Sequence, residues 1–330
     1  VVASQASSRP VGKQPASRAL TLTLSRGTHP ARLPCEFFDM DTDIEQIDHH
    51  RQRIDRLILV FWLTALLSGL VVGLVLWVVT PLGWLGLPVA LGVAALLAVL
   101  LLRRSERWLV DSYGGSDVDE STHPRLVNVV EGLCASSGVA QPQLRIVDSP
   151  AVNMIAVGRH PSRSWLVVTS GALENASRIE LEALVANEVS QVRTLDTAHA
   201  STVATTVGLP ALLADIGKRL RAGRSINGSA GSAGGRAAGA VCGLFIPLAG
   251  VSRRRSAAEL EPHRDFRTDV TGVQLTRYPP GMIAALERAE SASDAVLDVA
   301  GAGAALCVVD PRDSRVRPPL SERIAALREL

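Results

Sequence analysis

The sequence is poor in lysine, cysteine, aromatics and histidine. Of its 34 basic side chains only Lys13 and Lys218 are lysines, and the formal net charge is +2. The arginines lie beside apolar runs and in loops rather than along one groove, which excludes a nucleic-acid binding face. Cys35, Cys134, Cys242 and Cys307 are the four cysteines. None forms a C-x-x-C pair, so neither a zinc ribbon nor a disulfide framework is indicated, and free thiols fit a cytoplasmic soluble part. Acidic residues are missing before Glu36. Residues 1–39, rich in Ser, Ala, Pro and Arg, read as a disordered extension without the apolar core of a secretory signal. Met40 opens a more ordinary stretch, and the expected effective start lies there.

Charge is missing over one long run as well. From Leu57 to Leu102 there are 46 consecutive uncharged residues, and about 20 apolar residues cross a bilayer as a helix. Two crossings fit, with the turn in "TPLGWLGLP" (Thr80 to Pro88) and Trp84 at the interface. The competing reading is a helical pair inside a large soluble core. Arg51, Arg53 and Arg56 precede the run, and Arg103, Arg104 and Arg107 follow it. Positive flanks stay on the cytoplasmic side, so both ends of the hairpin are expected there.

Beyond the hairpin the pattern turns globular. "HPRLVNVVEGLCASSGV" sets Leu126, Val129, Val130 and Leu133 at helical spacing and stops at Gly138. "QLRIVDS" and "SWLVVTSGAL" read as strands, and Ser177 with Glu180 makes a capping box at a helix start. On that helix Leu181, Leu184, Val185, Glu188 and Val192 share a face. Glu188 therefore sits where an apolar residue belongs, and a buried carboxylate needs a partner. Asn187 and Gln191, one turn apart, bracket it with the spacing of the zinc motif H-E-x-x-H but with amides in place of both imidazoles.

From about residue 57 onward the chain resembles the HtpX-type membrane zinc metallopeptidases, relatives of the CAAX prenyl endopeptidases. The segments that carry the resemblance, in order, are "HPRL", "DSPAVNMIAVG", "VVTSGAL", "NEVSQVRTLD", "DFRTD", "LTRYPPGMIAALER" and "RPPLSERIAALREL". It implies an α+β zincin-like (gluzincin) metallopeptidase domain, mostly helical with a small sheet, joined to transmembrane helices. The implied organisation is a cytoplasmic lead-in over 40–56, the membrane hairpin over 57–102 and a peptidase-like domain in two parts, 103–196 and 253–330. Between them, 197–252 holds a possible second membrane hairpin around a basic, Gly/Ser-rich loop, the alternative being a shallow hairpin covered by protein. The resemblance places the chain in the plasma membrane as a multi-pass protein with its peptidase-like domain in the cytoplasm.

The departures from the family pattern fall on the metal ligands. Asn187 and Gln191 match the two histidines, Asp265 matches the third ligand, a glutamate, and Arg317 matches a histidine before the closing prolines. Glu188 and Asp269 keep the family's identities at its catalytic positions. Loss of zinc and of peptidase activity follows as the expectation, with no cofactor, and with the lipid bilayer, membrane-protein segments or an active relative as partners. The alternative is a working metalloendopeptidase of membrane-protein quality control that binds zinc through a non-standard set, for which His199 and His263 are the available imidazoles; His123 and His160 are expected at the surface. Peptidases of this class hold substrate as a strand added to a sheet edge. The matching strand is Trp165, Leu166, Val167, Val168 and Thr169, which is either that edge or a plain core strand.

Overall fold

The computed structural model describes residues 40–79, 83–118, 121–221, 239–261, 263–292, 303–309 and 317–330. The N-terminal extension over 1–39, the Thr80–Leu82 part of the hairpin turn and the basic loop over 222–238 lie outside the described residues.

Two long helices open the described chain: α1 (Met40–Val79) and α2 (Gly83–Tyr113), packed on each other. Both are long and apolar enough to cross a membrane. Their outer faces carry Leu63, Leu67, Val71, Val78, Leu96 and Leu97, all exposed, as a lipid-facing surface requires. With 40 residues α1 is about 60 Å long, twice the ~30 Å hydrocarbon thickness, so the lead-in over 40–56 is helical and continuous with the apolar run. The connection is shorter than the expected Thr80–Pro88 turn, since α2 begins at Gly83 and carries Pro88 inside it.

A four-stranded sheet follows, with β1 (Ser116–Asp117), β2 (Gln143–Val147), β3 (Met154–His160) and β4 (Arg163–Thr169) in the order β1-β2-β4-β3. α3 (Pro124–Ser137) buries Leu126, Val129, Val130 and Leu133 and ends at Gly138, whose φ of 71° is the left-handed cap that glycine adopts without strain. Beyond β4 come α4 (Ser170–Asn175), α5 (Arg178–Arg193), α6 (Asp196–Thr205), α7 (Leu209–Arg221), α8 over residues 239–243 and α9 (Ile246–Glu259). The chain ends through α10 (Arg264–Thr276), α11 (Pro279–Ser291), a 3-10 turn at Ala304–Leu306 and α12 (Leu320–Leu327).

The sheet is covered on both faces. Met154, Ala156, Leu166 and Val168 face one core with α3, α5 and α11; Ile155, Val157 and Val167 face another with the end of α2, α6 and α7. Burial on both sides explains why β3 and β4 read as near-continuous apolar runs. Cys134, Cys242 and Cys307 are free thiols.

Over 197–252 the helices are short. All ten residues of α6 are buried in protein, and α6 meets α7 at a 69° bend. Together the two are apolar enough for one broken span, but α6, α7 and α9, at 10, 13 and 14 residues, are each below the ~20 needed for a straight crossing.

Candidate functional site

The site is built around α5. Ser177 caps its start by accepting from Glu180 N, while the Glu180 carboxylate accepts from Ser177 N, so the expected capping box is complete. The helix then runs through the protein interior, and from Ala183 to Val192 every residue is buried. α10 lies against it at unusually short range. A Cβ on Gly272 would stand 2.8 Å from Asn187 Cα, so a glycine there lets the two backbones approach, and Asp269 of α10 comes within hydrogen-bond distance of Asn187.

Asn187, Gln191 and Asp269 meet in a hydrogen-bonded chain. Asn187 Nδ2 donates to Asp269 Oδ1 at 2.9 Å, and Gln191 Nε2 donates to Asn187 Oδ1 at 2.5 Å. Arg264 continues it, donating from Nη2 to Gln191 Oε1 at 2.6 Å and from Nε to Asp196 Oδ2 at 2.5 Å. At the other end Arg323 grips both oxygens of Asp269 at 2.6 and 2.7 Å and reaches Val308 O at 2.7 Å. A buried polar path thus runs from the start of α6 to the C-terminal segment.

Asp265 stands beside this path rather than on it. Arg317 donates from Nε and Nη2 to its two oxygens at 2.8 and 2.5 Å, and from Nη1 to Cys307 O at 2.9 Å. Burial raises the Asp265 carboxyl, but Arg317, with Arg323 and Arg264 behind it, outweighs that and holds it below the ordinary carboxylate range.

Glu188 is placed differently. Its Oε2 accepts from Ala156 N of β3 at 2.8 Å, and its Oε1 has no partner among the described residues. Burial pushes the carboxyl up to about 8, against the downward pull of Arg264 and the Ala156 N–H. With Ser164, whose hydroxyl also lacks a partner among the described residues, it borders a cavity of ≈ 10 Å³, room for about one water.

The expected substrate strand needs correction. Trp165 to Thr169 pair in parallel with Gln143 to Val147 on one side, and Trp165 to Val168 pair antiparallel with β3 on the other. β4 therefore has no free edge, and an added strand has nowhere to join it. The edge on this side is β3, and the chain covers part of it itself. Ile155 bridges Cys307, Val308 N donates to Met154 O, and Asn153 clamps Val309 through both backbone groups.

The two spare imidazoles do not join the site. His263 is exposed against Phe266. His199 is buried and stacked on His50, ring centroids 5.5 Å apart, while His50 bonds Thr194 O. His123 and His160 are exposed, as expected. Among the described residues no three His, Cys, Asp or Glu side chains are grouped as a metal ion requires. Sequence reasoning missed Arg264, Arg323 and Asp196 as parts of the network. All three lie within or beside the quoted segments; for Arg264 the available signal was the alternation of Arg and Asp in "HRDFRTD", and Asp196 and Arg323 carried none.

No family model matches the chain. It is 30% identical over 299 residues to proteins named Protease HtpX homolog from Streptococcus pneumoniae, among them those of strains ATCC BAA-255 / R6, Taiwan19F-14 and ATCC BAA-334 / TIGR4. Each comparison covers 87% of this chain and 99% of the relative.

Proposed function

This chain belongs to the HtpX-type membrane metallopeptidase family, and from that premise we propose that it is a membrane-anchored pseudopeptidase. It keeps a zincin-like (gluzincin) scaffold, holds no zinc, and binds or regulates membrane-protein segments or an active relative.

The donor set at 187, 191 and 265 carries the reading. Zinc sites use thiolate, imidazole and carboxylate, and a neutral amide oxygen is a poor donor to this ion. Here the oxygens of Asn187 and Gln191 already accept from Gln191 and Arg264, and both oxygens of Asp265 accept from Arg317. These residues do not fit the metal. Glu188 and Asp269 keep the identities of the catalytic positions, but a general base alone contributes only about 10²- to 10⁴-fold, and Asp269 is tied to Arg323.

The arginines that flank the α1–α2 hairpin support an arrangement with both parts of the domain on the cytoplasmic side of the plasma membrane. The short, protein-covered α6 supports a shallow hairpin over 197–252 instead of two full crossings.

Full-length protein in detergent, supplied with zinc and an unfolded membrane-protein substrate, is expected to leave the substrate intact. Cleavage abolished both by a chelator and by Glu188→Gln would establish the working peptidase instead.

A further inference from the structure

We infer that Arg317 is the resident cation of this site: its guanidinium balances the buried charge of Asp265, ties it to the Cys307–Val308 backbone, and keeps a divalent metal out. The inference rests on the reading of positions 187, 191 and 265 as former ligand positions. It adds that exchanging those three residues alone does not reopen the site.

The argument starts from charge. Asp196, Asp265 and Asp269 are 2%, 4% and 1% exposed, and a buried carboxylate is tolerated only when paired. Each is paired with guanidinium: Arg264 and Arg267 on Asp196, Arg317 on Asp265 and Arg323 on Asp269. Three carboxylates face four guanidinium groups. A dication entering this arrangement finds no uncompensated carboxylate among the three and is repelled by the fixed cations paired with them in a low-dielectric interior.

Geometry selects Arg317 among these cations. Arg264 and Arg267 pair with Asp196, which matches no ligand position, and Arg264 reaches the ligand-matched Gln191 only through one bond to its neutral amide; Arg323 bonds Asp269, which matches a position outside the ligand set. Among the described arginines Arg317 is the one that covers the charged ligand-matched position, Asp265, and it does so with the parallel two-bond fork that fixes a carboxylate most firmly. It also donates to Cys307 O and Val308 O, in the segment seated on the β3 edge. The same side chain therefore closes the metal position and pins the strand that covers the neighbouring backbone. In the family pattern this position carries histidine, so the substitution brings a permanent charge to the place where the ligand set has lost its imidazoles.

The test uses the full-length chain in detergent and cobalt(II) or zinc alone as the probe. One variant carries Asn187→His, Gln191→His and Asp265→Glu with Arg317 kept; a second adds Arg317→Ala. Removing Arg317 is expected to tighten metal binding by at least about 10-fold, the scale on which groups around ligands tune affinity. Equal, tight binding by both variants overturns the inference while leaving the ligand reading intact. Failure of both to bind, with both folded and monodisperse, overturns the two together. A companion measurement avoids the rebuilt site altogether. In the unaltered background Arg317→Gln should lower the melting temperature, and adding Asp265→Asn should recover most of the loss. An unchanged melting temperature in Arg317→Gln also overturns the inference.

Discussion

Gln191 Nε2 lies 2.5 Å from Asn187 Oδ1, one turn along the same face of α5, so the two amides bind each other across the place where a pair of imidazoles would converge on a metal. The bond is one link in a buried path that begins at Asp196 and ends on Val308 O. Polar groups buried in this manner stabilise only as a complete set, and that is the basis of the first expectation.

Arg323→Gln breaks the pair with Asp269, leaving a carboxylate 1% exposed without its counter-charge. Removing one partner of such a pair costs about 3–5 kcal/mol. Thermal denaturation should show a large drop in melting temperature, and the double variant Arg323→Gln with Asp269→Asn should be less damaged than the single one. A single variant as stable as the parent would show that the path contributes nothing to the fold.

Glu188 gives the stability a dependence on pH. Burial raises its carboxyl from 4.5 to about 8, so between these values the folded protein holds a proton that the unfolded chain has released. The contribution is full below about 4.5, declines as pH rises, and is constant above about 8. Glu188→Gln removes the titration. It should therefore gain on the parent progressively from pH 5 to pH 8, by a few kcal/mol at most at ~1.4 kcal/mol per unit. Parallel melting curves for parent and variant across this range would contradict the assignment.

Asp265 acts at the acid end. Its carboxyl is held low by Arg317, so its contribution is present above the ordinary value of 3.8 and is lost as pH falls through the lower folded value. Asp265→Asn should flatten the acid limb of the stability curve. An acid limb as steep as the parent's would place the loss elsewhere.

Topology is checked by labelling. Trp84→Cys at the hairpin tip should react with an impermeant thiol reagent from outside intact cells, and Glu174→Cys should not. Both positions are exposed in the fold. The reverse pattern would refute the argument from positive flanks.

How much of this was legible in the sequence depended on range. The α1–α2 hairpin, the α3 face with its Gly138 cap and the Ser177–Glu180 box are set by neighbours within a few residues, and periodicity and capping chemistry find such features. Strand order is different, because whether Trp165–Thr169 forms an edge depends on β2 and β3, and one strand's pattern does not record its neighbours. β3 itself hid in "MIAVGRH", an apolar run too short for periodicity to separate strand from helix. The positions matched to ligands were legible from spacing and resemblance. Their partners were not: Arg317 and Asp265 stand 52 residues apart, and Arg323 and Asp269 stand 54 apart. A sequence gives such arginines charge but no address.

The central claim, that the site does not hold zinc, is met most directly by elemental analysis of the full-length protein purified in detergent without chelator. The account predicts zinc far below one ion per chain, unchanged by Asp265→Ala. Near-stoichiometric zinc that disappears in Asp265→Ala would contradict it and return the chain to the working metallopeptidases.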